Sequence, residues 1–341
     1  MKKVKIAQIG VTHEHAPGKI ATLKNLPDLF EIVGVCDDRS FSKTPCFFNG
    51  NMKPYDGLRF MTLEEILADD SIEAVTVEVP NNELVPIAMR CAQRGLAMHM
   101  DKPAGEDLGP YKELLELCKA KSLPFQMGFM FRSNAAFQVA IRAIREKWIG
   151  EVIEIDADMH HNYGGEPYQE YISRFPGGIM YNLGCHLIDF VAAAMGEPRR
   201  VTSFMHPAPG YGEGVRNHGL AVLEYEHAFV TLRSCSKTPY DTNSRAMRII
   251  GTKGTVHLCP LENFASVSPY MDIEIMLNEA CDALPEGKHT LRVPSLRDRY
   301  AGQLQELYAM IREGKKSFYT FEHDLLVHKI TLAASGYTKW S

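Results

Sequence analysis

The amino-acid sequence predicts an α/β protein. Its N-terminal part reads as a Rossmann-type, doubly wound parallel sheet, and its C-terminal part as an α+β domain with an open-faced, mainly antiparallel sheet. Three observations carry this reading. Short apolar runs alternate with helix-patterned stretches from residue 4 to residue 147. Beyond residue 150, strand-patterned runs follow one another with few helices between them. A chain of 341 residues is also long enough for about two domains. The division falls at 1–130 and 131–341, with a C-terminal helix able to pack back on the first domain.

The first domain opens with a buried strand, Val4–Ile9, that ends at Gly10. A helix over 16–26 and a second strand, Phe30–Cys36, follow, and the strand ends at Asp37. Strand, glycine turn, helix and strand ending in an acid form the layout of a dinucleotide-binding unit. The acid is placed to hold the adenosine ribose hydroxyls. The turn departs from G-x-G-x-x-G: Gly10-Val11-Thr12-His13-Glu14-His15 keeps only the first glycine. Thr12 is still expected to present its N–H to the cofactor. Two histidines without a third ligand nearby in the sequence do not make a metal site, and no metal is expected.

Residues 38–58, rich in Pro, Gly, Asn and aromatics, read as an ordered loop in place of the usual second helix. Alternation then resumes. Thr62 caps a helix through residue 68, and Glu65 completes a capping box. Strands are expected at 74–79, Ala97–Met100 and 125–130, and helices at 83–94, 108–121 and 134–147. In such a sheet, ligands bind beyond the carboxyl ends of the strands. Gly10, Asp37, Pro80, Asn81, Asp101, Lys102 and Arg132 all stand at or just past such ends. Lys102 follows a strand and precedes Pro103, which restricts the chain locally. An ammonium held there can donate to a substrate hydroxyl.

In the second domain a strand begins at residue 151, and 160–176 read as a loop rich in Tyr, Gly and His. The stretch 177–189, GGIMYNLGCHLID, reads as a buried helix with Asn182, His186 and Asp189 on one face. Strands are expected at 201–205, 220–225, Phe229–Cys235, 247–250, 256–258 and 264–267, with a tight turn at 251–255. Helices at 296–312 and 323–335 close the chain.

Composition narrows the function classes. The net charge is −5 with 45% hydrophobic and 23% charged residues, and no basic block marks a nucleic-acid or anionic-membrane partner. No apolar run reaches the ~18 residues of a membrane span. The N-terminus reads as a strand rather than a targeting signal. Eight cysteines without CxxC spacing read as buried thiols of a cytoplasmic protein.

These motifs together resemble one family. The glycine turn with Asp37, then VEVPNNELVPIAM, AMHMDKPAG, MGFMFRSNAAF, IGEVIEI, GGIMYNLGCHLID and GTKGT resemble the glucose–fructose oxidoreductase, inositol dehydrogenase and rhizopine-catabolism (Gfo/Idh/MocA) family, over almost the whole chain. The resemblance implies NAD or NADP in the first domain and a sugar or polyol substrate between it and the C-terminal sheet. It implies Gly10, Thr12, His13, Asp37, Pro80, Asn81, Asp101 and Lys102 as cofactor contacts. Lys102 would bind substrate and help orient the nicotinamide, and His186 would act as general acid/base on the reacting hydroxyl. Asn182 stands where many members carry an aspartate, and Leu84 where a histidine often stands. Arg132 and Tyr163 are further substrate candidates.

The expected reaction is hydride transfer between the nicotinamide and a secondary alcohol. Asp37 favours NAD, while Arg39 keeps NADP open. Two alternatives remain: a lyase or glycosidase that holds NAD as a bound catalyst, and an inactive ligand-sensing member of the fold. The broad sheet suits a homodimer or homotetramer.

Overall fold

The computed structural model describes residues 2–44, 51–163, 165–239 and 242–341. Cys46 lies outside them. The chain forms two units, Met1–Met130 with Asp298–Leu325, and Phe131–Arg297 with Leu326–Ser341.

The first unit contains β1 (Val4–Ile9), α1 (Ala16–Lys24), β2 (Phe30–Cys36), α2 (Leu63–Ala68), β3 (Ala74–Val77), α3 (Leu84–Arg94), β4 (Ala97–Met100), α4 (Leu108–Ala120) and β5 (Phe125–Met127). The five strands are ordered β2-β1-β3-β4-β5, and every pairing is parallel. Strands covered on both faces need apolar residues at consecutive positions, and β3 and β4 are buried at every residue. Thr62 forms the expected capping box with Glu65 at the start of α2. Between β2 and α2 the chain makes short 3-10 turns at Asp38–Ser40 and Lys53–Tyr55.

The second unit contains α5 (Ala135–Arg145), β6 (Val152–Asp158), α6 (Glu166–Ser173), α7 (Cys185–Met195), β7 (Arg200–His206), β8 (His218–Glu224), β9 (Phe229–Cys235), β10 (Met247–Gly251), β11 (Gly254–Leu258), β12 (Tyr270–Leu277) and β13 (Gly287–Pro294). The eight strands are ordered β13-β12-β11-β10-β6-β9-β8-β7. Only β6 and β9 pair in parallel; the other neighbours are antiparallel. In β12 burial alternates residue by residue, the mark of a sheet packed on one face only.

The chain closes with α8 (Ala301–Arg312) and α9 (Phe321–Ala334). Leu304, Leu307 and Tyr308 of α8 join the core of the first unit beside Val4, Ile6, Phe30 and Val35.

Several expectations are corrected. Residues 160–176 are not all loop, because Pro167 at the first turn starts α6, a position where its missing N–H costs nothing. Residues 264–267 make a single bridge, Phe264 with Leu296, and the strands lie further on, at β12 and β13. The helix after Gly177 begins with a π-helical turn, Met180–Gly184, so Asn182 and His186 do not stand one regular α-turn apart. The thiols are also not uniformly buried, since Cys259 is exposed. Among the described residues, no helix is long and apolar enough to cross a membrane.

Candidate functional site

In the first unit, β1 runs into Gly10 at φ +106°. A Cβ there would lie 2.1 Å from the carbonyl oxygen of Glu78. The close approach of the turn to the end of β3 thus requires glycine. The amides of the turn are already engaged. Asp38 accepts from the N–H of Val11 at 2.8 Å and of Thr12 at 3.1 Å, and also from the Thr12 hydroxyl. The Thr12 N–H, expected to serve a cofactor, is thereby taken by a carboxylate of the chain itself. Asp37, the acid named from the sequence, sits at the edge instead. It caps the following turn and binds the Arg39 guanidinium through both carboxylate oxygens, with Nε at 2.9 and 3.0 Å. The Arg39 hydrogen bonds hold its carboxyl below the usual range.

At the end of β4, Asp101 and Lys102 are buried, and the Lys102–Pro103 peptide is cis. The Lys102 N–H donates to Asp101 Oδ1 at 2.9 Å. Asp101 Oδ2 lies 2.8 Å from His15 Nδ1 and 3.1 Å from His13 Nδ1. Burial opposes ionisation of Asp101, but the two imidazoles outweigh it and hold the carboxyl well below its ordinary range. The imidazoles then respond in opposite directions. Burial resists the charge on His13, yet the attraction of Asp101 prevails and its pKa rises. Burial wins at His15, helped by repulsion from Lys102 and His13, and its pKa falls.

A second polar tier involves the same strands. Lys19 of α1, fully buried, lies 2.5 Å from His99 Nε2 and 3.5 Å from Glu78 Oε1, with its Nζ 4.1 Å from the centre of the Tyr300 ring. Among the described residues, neither buried oxygen of Glu78 has a hydrogen-bond partner beyond that long Lys19 contact, and desolvation pushes its carboxyl up to about 8. Pro80 and Asn81 form the turn into α3, where the Pro80 carbonyl accepts from Glu83 at 2.8 Å and Asn81 is buried.

In the second unit, Gly178 has φ +49°, and a Cβ on it would come within 1.9 Å of the Arg216 carbonyl oxygen. The glycine pair therefore lets the chain pass Arg216 and enter the π-turn, a form that often accompanies functional sites. Asn182, His186 and Asp189 are all buried. The Asn182 amide donates to the Tyr168 hydroxyl at 2.8 Å. His186 packs against Phe131, with ring centres 5.6 Å apart. Tyr163 is stacked between His161 and Tyr168, at 3.7 Å from each. Arg132 reaches Asp189 rather than open space, with its terminal nitrogen 2.7 Å from Oδ1. Asp38 was not singled out as a site residue from the sequence. Asp38 stands beside the acid that was, and Asp189 shares its helix with His186.

Family models match most of the chain. The oxidoreductase family model with the NAD-binding Rossmann fold matches residues 4–129, and the GFO/IDH/MocA C-terminal domain matches residues 137–257. The chain belongs to the Gfo/Idh/MocA oxidoreductase family. Among relatives, an uncharacterized oxidoreductase of Schizosaccharomyces pombe is 30% identical over 53% of this chain and 48% of its own length. The scyllo-inositol 2-dehydrogenase (NAD(+)) of Bacillus subtilis is 24% identical over 75% of this chain and 72% of that protein. The match to the yeast relative thus spans about half of that protein. A levoglucosan dehydrogenase in complex with NADH and levoglucosan shares the fold, with TM-score 0.78, 15% identity, and coverage of 98% of this chain and 97% of that one. Within the family the first unit is the NAD-binding Rossmann domain, with the altered turn described above.

Proposed function

We propose that this Gfo/Idh/MocA protein is an NAD(P)-dependent dehydrogenase that transfers hydride between the nicotinamide and a secondary alcohol of a sugar, a polyol or a derivative. The observation that carries the reading is the setting of His186. It is a buried imidazole on a helix entered through a π-turn, with Asn182 of that turn oriented by Tyr168. The relatives named for inositol and levoglucosan support the substrate class.

The first unit fits a dinucleotide in part. Gly10 supplies the tight turn, and Asp37 presents a carboxylate at the end of β2, where ribose hydroxyls are held in such folds. The bound nicotinamide would supply the hydride acceptor. His186 takes the proton of the reacting hydroxyl, and a positioned acid/base of this kind contributes ~10²–10⁴ in rate. In the first unit, the Lys102 ammonium at the end of β4 is the group that donates to a substrate hydroxyl. Asn182 keeps the reacting oxygen oriented through its amide, and Tyr163, whose two ring faces are covered by His161 and Tyr168, meets a sugar through its hydroxyl edge.

The test is a titration with NADH and NADPH, followed by a screen of sugars and polyols read at the nicotinamide absorbance band. Appearance of free NADH with one of them supports the reading. Turnover without free NADH would favour a bound-cofactor lyase, and no nucleotide binding at all would favour a sensor. The exposed Phe204, Phe229, Tyr270 and Met276 on strands of the eight-stranded sheet support a homodimer or homotetramer formed through that face.

A further inference from the structure

We propose that His13, His15 and Asp101 form a binding site for one divalent transition-metal ion in the first unit. Their ligand atoms, one from each side chain, all lie within 4.8 Å of one another. Asp101 Oδ2 stands 3.1 Å from His13 Nδ1 and 2.8 Å from His15 Nδ1. An ion holding ligands tetrahedrally with bonds of about 2.0–2.1 Å sets neighbouring ligand atoms about 3.3–3.4 Å apart. The two carboxylate–imidazole separations reach that spacing by opening a few tenths of an ångström, and the ligand atoms of the two imidazoles lie within 4.8 Å of each other.

The surroundings favour a cation over a simple hydrogen-bonded array. His13 Nδ1 faces two groups at once: the His15 N–H at 3.3 Å and the Asp101 carboxylate at 3.1 Å. The nitrogen has a single lone pair, and an ion between it and Asp101 Oδ2 would take that lone pair in place of both contacts. Asp101 is held from behind, because its other oxygen accepts the Lys102 N–H. Such outer contacts fix the direction of a metal ligand. The two imidazoles pack edge to face, with centres 4.8 Å apart.

Access and ion type follow from the same residues. His13 and Asp101 are almost fully buried, whereas the His15 side chain is 22% exposed, so an ion enters on the His15 side. Glu14 flanks that opening, with Oε1 3.8 Å from His15 Nε2. Three protein ligands leave a position for water or another small ligand. Two imidazoles with one carboxylate suit Zn²⁺, Fe²⁺, Co²⁺ or Mn²⁺ better than Mg²⁺ or Ca²⁺. His15 stands where the dinucleotide fingerprint would place its third glycine, His13 lies two residues before it in the same turn, and the strand end at Asp101 supplies the third ligand. The site lies within one unit and does not rest on the dehydrogenase reading.

The experiment uses the full chain, freed of any affinity tag and stripped with a chelator. Co²⁺ is titrated in, followed by its visible d–d absorption and by equilibrium dialysis. One equivalent per chain with new visible bands is expected. His15→Ala, at the exposed ligand, should weaken binding by more than about tenfold with the far-UV circular dichroism unchanged. His13→Ala should do the same where it folds. His257→Ala, at an exposed histidine on β11, should leave the stoichiometry intact. Absence of bound Co²⁺ in the wild-type chain, or unchanged binding in His15→Ala, would overturn the proposal and leave a proton-sharing array. Neither readout involves turnover, so failure here is distinct from failure of the dehydrogenase reading.

Discussion

Arg132 and Asp189 form a buried, two-pronged ion pair: Nε lies 3.2 and 3.1 Å from the two carboxylate oxygens, and the terminal nitrogen 2.7 Å from Oδ1. Both side chains are 4% exposed. Asp189 lies three residues beyond His186 on α7, so the pair fixes the helix that carries the imidazole. Removing one partner of such a pair leaves an uncompensated buried charge, at a cost of about 3–5 kcal/mol. Arg132→Ala should lower stability by that amount in urea unfolding. Arg132→Lys should recover only part of it, because an ammonium cannot make the forked contact. A loss below about 1 kcal/mol would mean that water reaches the pair.

The role given to His186 separates chemistry from binding. His186→Ala should cut kcat by about 10²–10⁴ while the Kd for NADH stays within about twofold, since a shift that small is under half a kcal/mol. Tyr168→Phe removes the acceptor for the Asn182 amide and should produce a milder fall in kcat. A His186→Ala enzyme with near-normal turnover would remove this imidazole from the mechanism.

How far the sequence reaches is clear from particular residues. The parallel sheet was legible because strands covered on both faces, such as β3 and β4, are mainly apolar, with Thr76 and His99 as their buried polar members. The capping box at Thr62 was legible because it is a local hydrogen-bond pattern. The strands β12 and β13 were not foreseen. β13 has no fully buried residue, so it lacks the clear apolar periodicity that marks a strand covered on one face. The π-turn at Met180–Gly184 was invisible because the same residues satisfy an α-helical pattern. At the site, single residues were legible but their partners were not. Arg132 with Asp189 are 57 residues apart and His15 with Asp101 are 86 apart, and only the tertiary fold brings them together.

Glu78 gives a prediction for stability against pH. Burial raises its carboxyl to about 8 in the folded chain, from an ordinary 4.5. Between those values the folded state keeps a proton that the unfolded chain has released. Stability must therefore fall as pH rises through that interval, because the slope follows the protons bound in the unfolded state minus those in the native state. Glu78→Gln keeps a neutral side chain of similar shape and should lose this slope. Urea midpoints from about pH 5 to about pH 9 should show the variant gaining on the wild type as pH rises. Parallel profiles would mean that Glu78 is ionised in the folded protein.

Cofactor choice turns on Asp37 and Arg39. A carboxylate at the end of the second strand accepts from the ribose 2′-hydroxyl and repels a 2′-phosphate, while a nearby arginine accommodates that phosphate. Here the two groups neutralise each other in an edge pair, with the Arg39 side chain 54% exposed. While Asp37 holds the guanidinium, Arg39 is not free to take a phosphate, and NADH should bind more tightly than NADPH. Asp37→Ala removes the repulsion and releases Arg39 together. It should shift the ratio of the two dissociation constants toward NADPH by about tenfold or more, equivalent to ~1.4 kcal/mol. Arg39→Ala should change the ratio less, since an exposed pair contributes only about 0.2–1 kcal/mol. Fluorescence titration of both nucleotides against the three proteins measures this directly. An unchanged ratio in Asp37→Ala would place the adenosine end of the cofactor away from the end of β2.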